Sequence, residues 1–357
     1  MILRRILRLL AWLLLALVLL VGAGLAWMKL SPVPAVMLIR HHGAFSEVPG
    51  SLEAQTLLAS GEVTVLRDVG YAPGGGNPDT RMDVYRPGDA SAPLPAVVWV
   101  HGGGFIDGTK DALEAYLPQL AVHGYVGIAI EYSKAPEQRY PVQVRQVMQA
   151  LHHLQAHAEE LHVDPSRIVL GGDSAGAHIA AQAALAIVDP DYAQATGLAP
   201  TIAANRLRGM LLFSGTYQFL VGPQAKVAPD MERFGRLVRW AYLGEKDPDP
   251  DGQVRWTTLH QLVDGRFPPT LIVAGNGDPL APQSQRMADA LQAAGVPTQW
   301  MFFDGGQDEA YPHEFQFRFD TPGATRVLEA TLESLDRWTR DGTPAPVAAG
   351  DGAPPAT

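Results

Sequence analysis

Short strand-like segments alternate with amphipathic helical segments along most of the chain. The strand-like segments are rich in valine, isoleucine, leucine and other apolar residues, and they occupy residues 63–69, 81–85, 95–100, 125–132, 167–171, 208–213, 270–275 and 298–303. The helical pattern is clearest after Pro141, where apolar side chains recur at Val144, Met148, Leu151 and Leu154, the spacing of one helix face. This alternation predicts an α/β fold with a mostly parallel central sheet and helices on both faces.

The N-terminus has a different pattern. Arg4, Arg5 and Arg8 precede an uncharged, leucine-rich stretch at residues 9–28, which ends before Lys29. A helix of that length spans about 30 Å, the thickness of the hydrocarbon core of a bilayer. The excess of arginine before the stretch predicts a membrane anchor with a cytoplasmic N-terminus and the rest of the chain on the opposite side.

A cleaved signal peptide is the alternative for this segment. Gly24-Leu25-Ala26 offers the small residues that a cleavage site needs. The apolar stretch is longer than the usual signal core of about 7–15 residues, which favours the uncleaved anchor. Both alternatives take the folded domain out of the cytoplasm, to the cell envelope or periplasm if the segment is kept and into secretion if it is cleaved.

The rest of the chain divides into further segments. Residues 31–64 form a connector or a lid segment, with some helix. Residues 65–340 carry the α/β domain, and residues 214–266 within it form either a small cap or ordinary packed structure. Residues 341–357 are rich in proline, alanine and glycine without apolar periodicity, which predicts a disordered tail.

Composition excludes several classes of function. The chain has 357 residues, 47% of them hydrophobic, and a formal net charge of −10; it can fill one large core, and its charge argues against nucleic-acid binding. The absence of cysteine excludes disulfides, thiolate metal sites and a cysteine nucleophile. His152, His153 and His157 complete no known metal-ligand pattern and are expected to be solvated.

A serine flanked by glycines follows one of the strand-like segments. Gly172-Asp173-Ser174-Ala175-Gly176 comes after residues 167–171. Glycine on both sides permits a sharp strand-to-helix turn, which holds the serine hydroxyl forward where a base can reach it. The pattern predicts that Ser174 is a nucleophile.

Three consecutive glycines follow the strand-like segment at residues 95–100, in the run His101-Gly102-Gly103-Gly104-Phe105. Their N–H groups can point at one spot, and in acyl transfer that spot holds the carbonyl oxygen as it becomes an oxyanion. We expect the donors to be the N–H groups of Gly103, Gly104 and Ala175. The alternative is a glycine turn that serves only close packing.

A serine nucleophile needs a base, and the base needs an acid that orients it. Asp278 follows the strand-like segment at residues 270–275, and catalytic groups of α/β sheets collect at such strand ends. Asp304 and Asp308 come after the next strand-like segment and are the alternatives. The position of Asp278 directly after a strand makes it the preferred acid.

His313 is the predicted base. It lies in the loop after the last strand-like segment, and it is the only histidine after His260. His178 lies four residues after Ser174 on the helix that begins there, whereas a base approaches the hydroxyl from a loop on the other side. We therefore interpret His178 as a packing or hydrogen-bonding residue beneath the turn and predict a triad of Ser174, Asp278 and His313.

Together these motifs resemble the α/β-hydrolase superfamily, and more narrowly the hormone-sensitive-lipase-like esterases and the related feruloyl- and acetyl-xylan-esterase-like group. The residues that carry the resemblance are His101-Gly102-Gly103-Gly104, Gly172-Asp173-Ser174-Ala175-Gly176, Asp278-Pro279-Leu280, His313 and Tyr132-Ser133-Lys134-Ala135-Pro136. The resemblance covers about residues 65–340. It implies the α/β-hydrolase fold, esterase activity and the same triad.

The expected substrate is a small-molecule ester with a short to medium acyl chain, cleaved without a cofactor or metal. A serine peptidase or amidase would use the same triad and stays an alternative, as does a polysaccharide acetyl or feruloyl esterase. A non-catalytic binding domain on the same fold is the least favoured alternative, since all three triad residues are present. The sequence does not define the alcohol of the ester or the oligomeric state.

Overall fold

The computed structural model describes residues 2–43, 50–74, 76–219, 229–247, 249–306 and 308–340. The tail predicted at residues 341–357 lies outside the described residues. The same holds for parts of two other predicted segments, the connector or lid and the cap.

An eight-stranded sheet forms the centre of the described chain. Its strands are β1 (Val63–Gly70), β2 (Arg81–Pro87), β3 (Leu94–Val100), β4 (Val126–Ile130), β5 (Val163–Asp173), β6 (Leu207–Phe213), β7 (Thr270–Ala274) and β8 (Thr298–Phe302). The spatial order is β1-β2-β4-β3-β5-β6-β7-β8. Only β2 pairs antiparallel with its neighbours, and the other pairs are parallel. The predicted α/β fold with a mostly parallel sheet is confirmed.

Helices cover both faces of this sheet. The α-helices of the described residues are α1 (Ile2–Leu30), α2 (Val33–His41), α3 (Leu52–Ser60), α4 (Leu117–Val122), α5 (Val142–Ala156), α6 (Ala175–Val188), α7 (Pro190–Thr196), α8 (Pro229–Leu243), α9 (Ala281–Ala293) and α10 (Pro322–Thr339). Side chains of a strand alternate between the two faces. In β3, Val98 and Val100 join a core cluster with α5, α6 and α9, whereas Val97 and Trp99 join a second cluster with α4 and α10.

The parallel pairing brings the carboxyl ends of β3, β5, β7 and β8 to one edge of the sheet. Strands β3, β5 and β7 are buried over most of their length, so the chain leaves the core only where each of these strands ends. The loops after the four strands therefore meet at that edge. Open α/β sheets bind their ligands at this place.

Helix α1 stands apart from the core. None of its residues is buried, and it is the one helix in the described ranges that is long and apolar enough to cross a membrane by length and composition. At about 1.5 Å per residue it exceeds the hydrocarbon thickness of a bilayer.

Arg40 ties helix α2, which follows α1, to the α/β domain. Its Nε donates to the carbonyl oxygen of Ile106 at 2.6 Å, and one of its Nη atoms donates to that of Ala135 at 2.8 Å. The same guanidinium pairs with Glu137 at 2.7 Å. Arg40 thereby joins the segment after α1 to a loop at the carboxyl edge of the sheet.

Two glycines are expected to respond to alanine with opposite signs. A Cβ at Gly209 in β6 would lie 2.2 Å from Cε3 of the buried Trp338 ring, whereas a Cβ at Gly235 in α8 would meet nothing within 4 Å. Gly209→Ala should lower the free energy of unfolding by about 1–3 kcal/mol through overpacking. Gly235→Ala should raise it by about 0.5–1 kcal/mol through helix propensity.

Denaturant unfolding of the two purified variants in the same detergent measures this difference. A stabilising Gly209→Ala change would contradict the packing of α10 against β6.

Candidate active site

Ser174 lies at a sharp turn between β5 and α6. Its backbone has φ of 51° and ψ of −117°, a conformation that costs a non-glycine residue about 1–3 kcal/mol. A Cβ at Gly172 would lie 2.5 Å from the carbonyl carbon of Gly176, and a Cβ at Gly176 would lie 2.0 Å from the carbonyl oxygen of Val100. Both flanking positions therefore require glycine, and the turn presents the serine side chain at the sheet edge.

The structure brings Ser174, His313 and Asp278 together in one chain of contacts. Nε2 of His313 lies 3.0 Å from Oγ of Ser174, and Nδ1 of His313 lies 2.9 Å from Oδ1 of Asp278. The backbone N–H of Leu280 donates to the same Asp278 oxygen at 2.7 Å, which fixes the carboxylate. The distances suit a serine, a base and an acid that orients the base.

The alternative acids lie elsewhere. Asp308 pairs with Arg326 at 2.9 Å, and Asp304 accepts the N–H of Gly306 at 2.8 Å. Both carboxylates thus bind groups other than His313. Of the three acids considered from the sequence, Asp278 is the one that contacts His313.

Two carboxylates flank the imidazole of His313. Oε1 of Glu314 lies 3.5 Å from Nε2, while Asp278 holds Nδ1. Burial alone would lower the pKa of His313, but hydrogen bonds and charges of Asp278 and Glu314 outweigh burial and raise it to about 10. The site therefore stabilises the imidazolium form of His313.

Glu314 and Asp173 form a second carboxyl pair beside the serine. A Cβ at Gly102 would lie 2.4 Å from Oδ2 of Asp173 and 2.7 Å from Oε1 of Glu314, so both carboxyl groups lie over that glycine. Burial and the charge of Glu314 raise the pKa of Asp173 well above its usual range. Although burial opposes it, His313 holds the pKa of Glu314 below its usual value. Asp173 is therefore the protonated member and donates to Glu314.

The glycine loop after β3 presents free backbone donors beside Ser174. Gly103 has φ of 109° and Gly104 has φ of 60°, and a Cβ at Gly103 would lie 2.2 Å from the carbonyl oxygen of Asp107. The N–H of Asp107 donates to the carbonyl oxygen of Gly103 at 3.0 Å, whereas the N–H groups of Gly103 and Gly104 have no acceptor among the residues that the structure describes. Ala175, the first residue of α6, completes the predicted set.

A buried histidine fixes this loop. His101 is 1% exposed, and burial and the charge of Lys134 lower its pKa, although Glu131 opposes them. Its Nδ1 lies 2.7 Å from the carbonyl oxygen of Gly102, and its Nε2 lies 3.0 Å from Oε1 of Glu131 and 3.2 Å from the Lys134 ammonium. The ring also stacks on Tyr132 with centroids 4.3 Å apart.

Helix α8 covers the far side of the glycine loop. A Cβ at Gly104 would lie 3.1 Å from Cζ of Phe234 and 3.5 Å from a methyl carbon of Val238. Behind these residues Phe105 stacks on Tyr242 with centroids 4.1 Å apart. Apolar side chains therefore close the space next to Gly104.

His178 lies beneath the turn, as interpreted from the sequence. It is 0% exposed, its Nδ1 lies 3.0 Å from the carbonyl oxygen of Thr216, and Phe105 packs edge-on against its ring. Burial lowers the pKa of His178 to about 3. The ring is thus neutral and does not contact the triad.

A cleft lies beside His313 and Glu314. It has a volume of about 990 Å³, and the residues that line it include His313, Glu314, Gly102, Gly103 and Asp173. Further wall residues come from the start of α3 and from the loop before α10. Within the described ranges, no three histidine or acidic side chains come together in a way that could hold a metal ion.

Two features of the site escaped the sequence analysis. Glu314 was visible only as the neighbour of His313, and Asp173 only as part of the serine motif. Their pairing depends on the φ of 58° at Glu314, which turns its side chain back over Gly102. A positive φ at glutamate has no signal in a single sequence.

The chain is similar to known hydrolases. A family model described as alpha/beta hydrolase fold matches residues 97–315. Esterase LipI of Mycobacterium tuberculosis is 30% identical over 210 residues, which cover 58% of this chain and 63% of LipI. The acetyl esterase of Salmonella choleraesuis is 28% identical over 239 residues, which cover 64% of this chain and 68% of that enzyme. The match spans only about half of two further esterases of Mycobacterium tuberculosis, 53% of LipQ and 54% of LipC.

Solved structures show the same fold. Esterase B from Lactobacillus rhamnosis superposes with a TM-score of 0.70 at 19% identity and covers 89% of this chain and 96% of its own. A bacterial heroin esterase superposes with a TM-score of 0.62 at 25% identity, covering 83% of this chain and 93% of its own.

The protonation of His313 gives a test of the site geometry. We expect its ring to titrate near pH 10, and Asp278→Asn to lower that pKa by about 1–3 pH units because it removes an opposite charge. Since the folded pKa lies above the value of about 6.5 for unfolded histidine, the interaction stabilises the fold fully below about pH 6.5 and is lost as the pH rises through about 10.

NMR titration of the imidazole carbons measures the pKa, and Asp304→Asn is the matched control, which should leave it unchanged. An unaltered His313 titration in Asp278→Asn would show that Asp278 does not hold the ring.

Proposed function

The chain belongs to the α/β-hydrolase fold family that its residues 97–315 match, and from that premise we propose that it is a serine hydrolase of carboxylic esters. The observation that carries the proposal is the unbroken contact chain from Ser174 through His313 to Asp278. The esterase relatives support it, because they share the family and their names state ester cleavage.

Acyl transfer by these residues proceeds in two halves. In the fraction of molecules whose His313 ring is neutral, a fraction that grows as the pH rises toward its pKa of about 10, Oγ of Ser174 attacks the ester carbonyl carbon while Nε2 of His313 takes its proton, and Asp278 stabilises the imidazolium that forms. The carbonyl oxygen becomes an oxyanion, which the N–H groups of Gly103, Gly104 and Ala175 stabilise. His313 then protonates the leaving alcohol. Water, activated by His313 in the same way, releases the acid from Ser174.

The acyl chain is proposed to be short. The leaving oxygen has to lie at Nε2 of His313, so the acyl group points away from it, toward Gly104 and α8. Phe234 and Val238 close that space, which leaves little room for a long chain. The likeness to an acetyl esterase supports the same conclusion.

We further propose that α1 is an uncleaved anchor with the catalytic domain outside the cytoplasm. The helix is apolar and unburied throughout, and three arginines precede its uncharged stretch. The bias of arginine toward the N-terminal end favours a cytoplasmic N-terminus.

Ester hydrolysis should depend on the serine and on the acid. We expect Ser174→Ala to lower kcat by up to about a millionfold, and Asp278→Asn to lower it about ten-thousandfold because the imidazole loses its orienting carboxylate. Initial rates with p-nitrophenyl esters of increasing acyl length measure both effects and should be highest for the acetyl ester.

Ser166→Ala is the matched control, since Ser166 lies at the other end of β5 and bonds only to Asp164. Full activity in Ser174→Ala, or equal rates for long and short acyl chains, would contradict the respective part of the proposal.

The anchor should survive in the mature protein. We expect the full chain, starting at Met1, in membranes washed with alkaline carbonate. A variant with Leu14→Arg and Val18→Arg should leave the membrane fraction, because each central arginine costs about 2.5–3.5 kcal/mol on insertion. A mature chain that begins near Trp27, found by N-terminal sequencing, would instead establish a cleaved signal peptide.

A further inference from the structure

The cleft beside His313 has a place in the proposed reaction. When the tetrahedral intermediate collapses, Nε2 of His313 gives its proton to the leaving oxygen, so that oxygen has to lie within hydrogen-bond distance of Nε2. The cleft of about 990 Å³ opens on this side and is lined by His313 and Glu314. Its occupant during catalysis is therefore the alcohol half of the ester, an assignment that rests on the proposed function.

Glu314 reaches the spot where the alcohol begins. Its Oε1 lies 3.5 Å from Nε2 of His313, so the first atoms of a leaving group at Nε2 come near this oxygen. A hydrogen bond from the carboxyl group of Asp173 holds this carboxylate, and the backbone N–H of Glu314 donates to Oγ of Ser214 at 3.3 Å. Glu314 is thus a positioned acceptor close to Nε2 of His313.

The spacing suits one chemical class of alcohol. A hydroxyl group on the carbon next to the ester-bearing carbon lies about one hydrogen-bond length from the leaving oxygen. With that oxygen at Nε2, such a hydroxyl can donate to Glu314, and a hydrogen bond to a charged acceptor is among the strong ones. An alcohol without this hydroxyl cannot form that hydrogen bond.

The rest of the cleft wall also carries polar and charged side chains. Ser51, Glu53 and Thr109 supply polar groups on one wall, and Arg318 and Asp320 supply charged groups on another. Leu52, Phe317 and Phe319 add apolar groups to these walls, so the lining of the cleft is mixed rather than uniformly polar.

We propose that the cleft is the alcohol subsite, and that Glu314 is its specificity-determining residue, selecting esters whose alcohol carries a hydroxyl group vicinal to the ester oxygen. In the collapse of the intermediate the bond between the carbonyl carbon and the leaving oxygen breaks. The leaving oxygen takes the proton from Nε2 of His313, and the diol departs while its second hydroxyl stays hydrogen-bonded to Glu314. No oxidant, metal or further reactant takes part.

Three acetates of three-carbon alcohols isolate the effect of the hydroxyl. Propylene glycol monoacetate, with its primary hydroxyl esterified, carries the vicinal hydroxyl; trimethylene glycol monoacetate carries it one carbon farther away; and propyl acetate lacks it. For the full chain in detergent we expect kcat/KM to be about 10- to 100-fold higher for the vicinal compound than for either of the others, the range of a hydrogen bond to a charged group.

Glu314→Gly is the decisive variant. Glycine adopts the φ of 58° found at this position without strain, so the fold is preserved while the acceptor is lost. We expect the preference for the vicinal compound to fall to about that of the non-vicinal one. Glu314→Gln keeps the shape with a neutral acceptor and should give an intermediate preference.

The ratio between substrates separates selectivity from other effects. A change in the pKa of His313 alters all three rates alike and cancels in the ratio, so a purely structural role of Glu314 would not move it. Glu309→Gln is the control, an exposed carboxylate of the same loop that does not line the cleft, and it should leave the ratio unchanged.

The outcomes separate this inference from the function on which it rests. Equal kcat/KM values for the three acetates, or a preference that persists in Glu314→Gly, would overturn the role of Glu314. Rates that survive Ser174→Ala, or no hydrolysis of these acetates or of p-nitrophenyl acetate by the folded protein, would overturn the proposed function and the inference with it.

Discussion

The first turn of α6, which follows β5, approaches the carboxyl end of β3 so closely that only glycine fits at position 176. The carbonyl oxygen of Val100 lies where a side chain at Gly176 would be, and this contact places the glycine loop beside Ser174. Because the two strands are direct parallel neighbours, their twist and register set the distance between the serine and the loop. The other site residues follow from the same sheet edge, since Asp278 and His313 come from the loops after β7 and β8.

The sequence predicted the sheet because buried parallel strands appear as apolar runs, and it predicted Ser174, Asp278 and His313 because each follows such a run. Strand ends were less well defined. β5 begins at Val163, four residues before its apolar run. The pairing of Leu94 with Val163 extends the strand into this polar segment. Glu314 and Arg40 could not be predicted, because their roles depend on a positive φ and on contacts far apart in the chain.

The charge of the site depends on the imidazole of His313 and on the carboxyl groups of Asp173, Asp278 and Glu314. Asp278 and Glu314 flank His313, and Asp173 lies beside Glu314. Burial and the charge of Glu314 raise the pKa of Asp173, since like charges close together disfavour a second ionisation. Asp278 and Glu314 thus lie on either side of the His313 imidazole, and Glu314 also faces the cleft as a hydrogen-bond acceptor.

Arg40 has a mechanical consequence. Only Ser31 and Pro32 separate α1 from α2, and the guanidinium of Arg40 binds the carbonyl oxygens of Ile106 and Ala135. The joint between α1 and the α/β domain is therefore only two residues long. A tilt of α1 relative to the domain acts through α2 and Arg40 on the loop that carries Gly103.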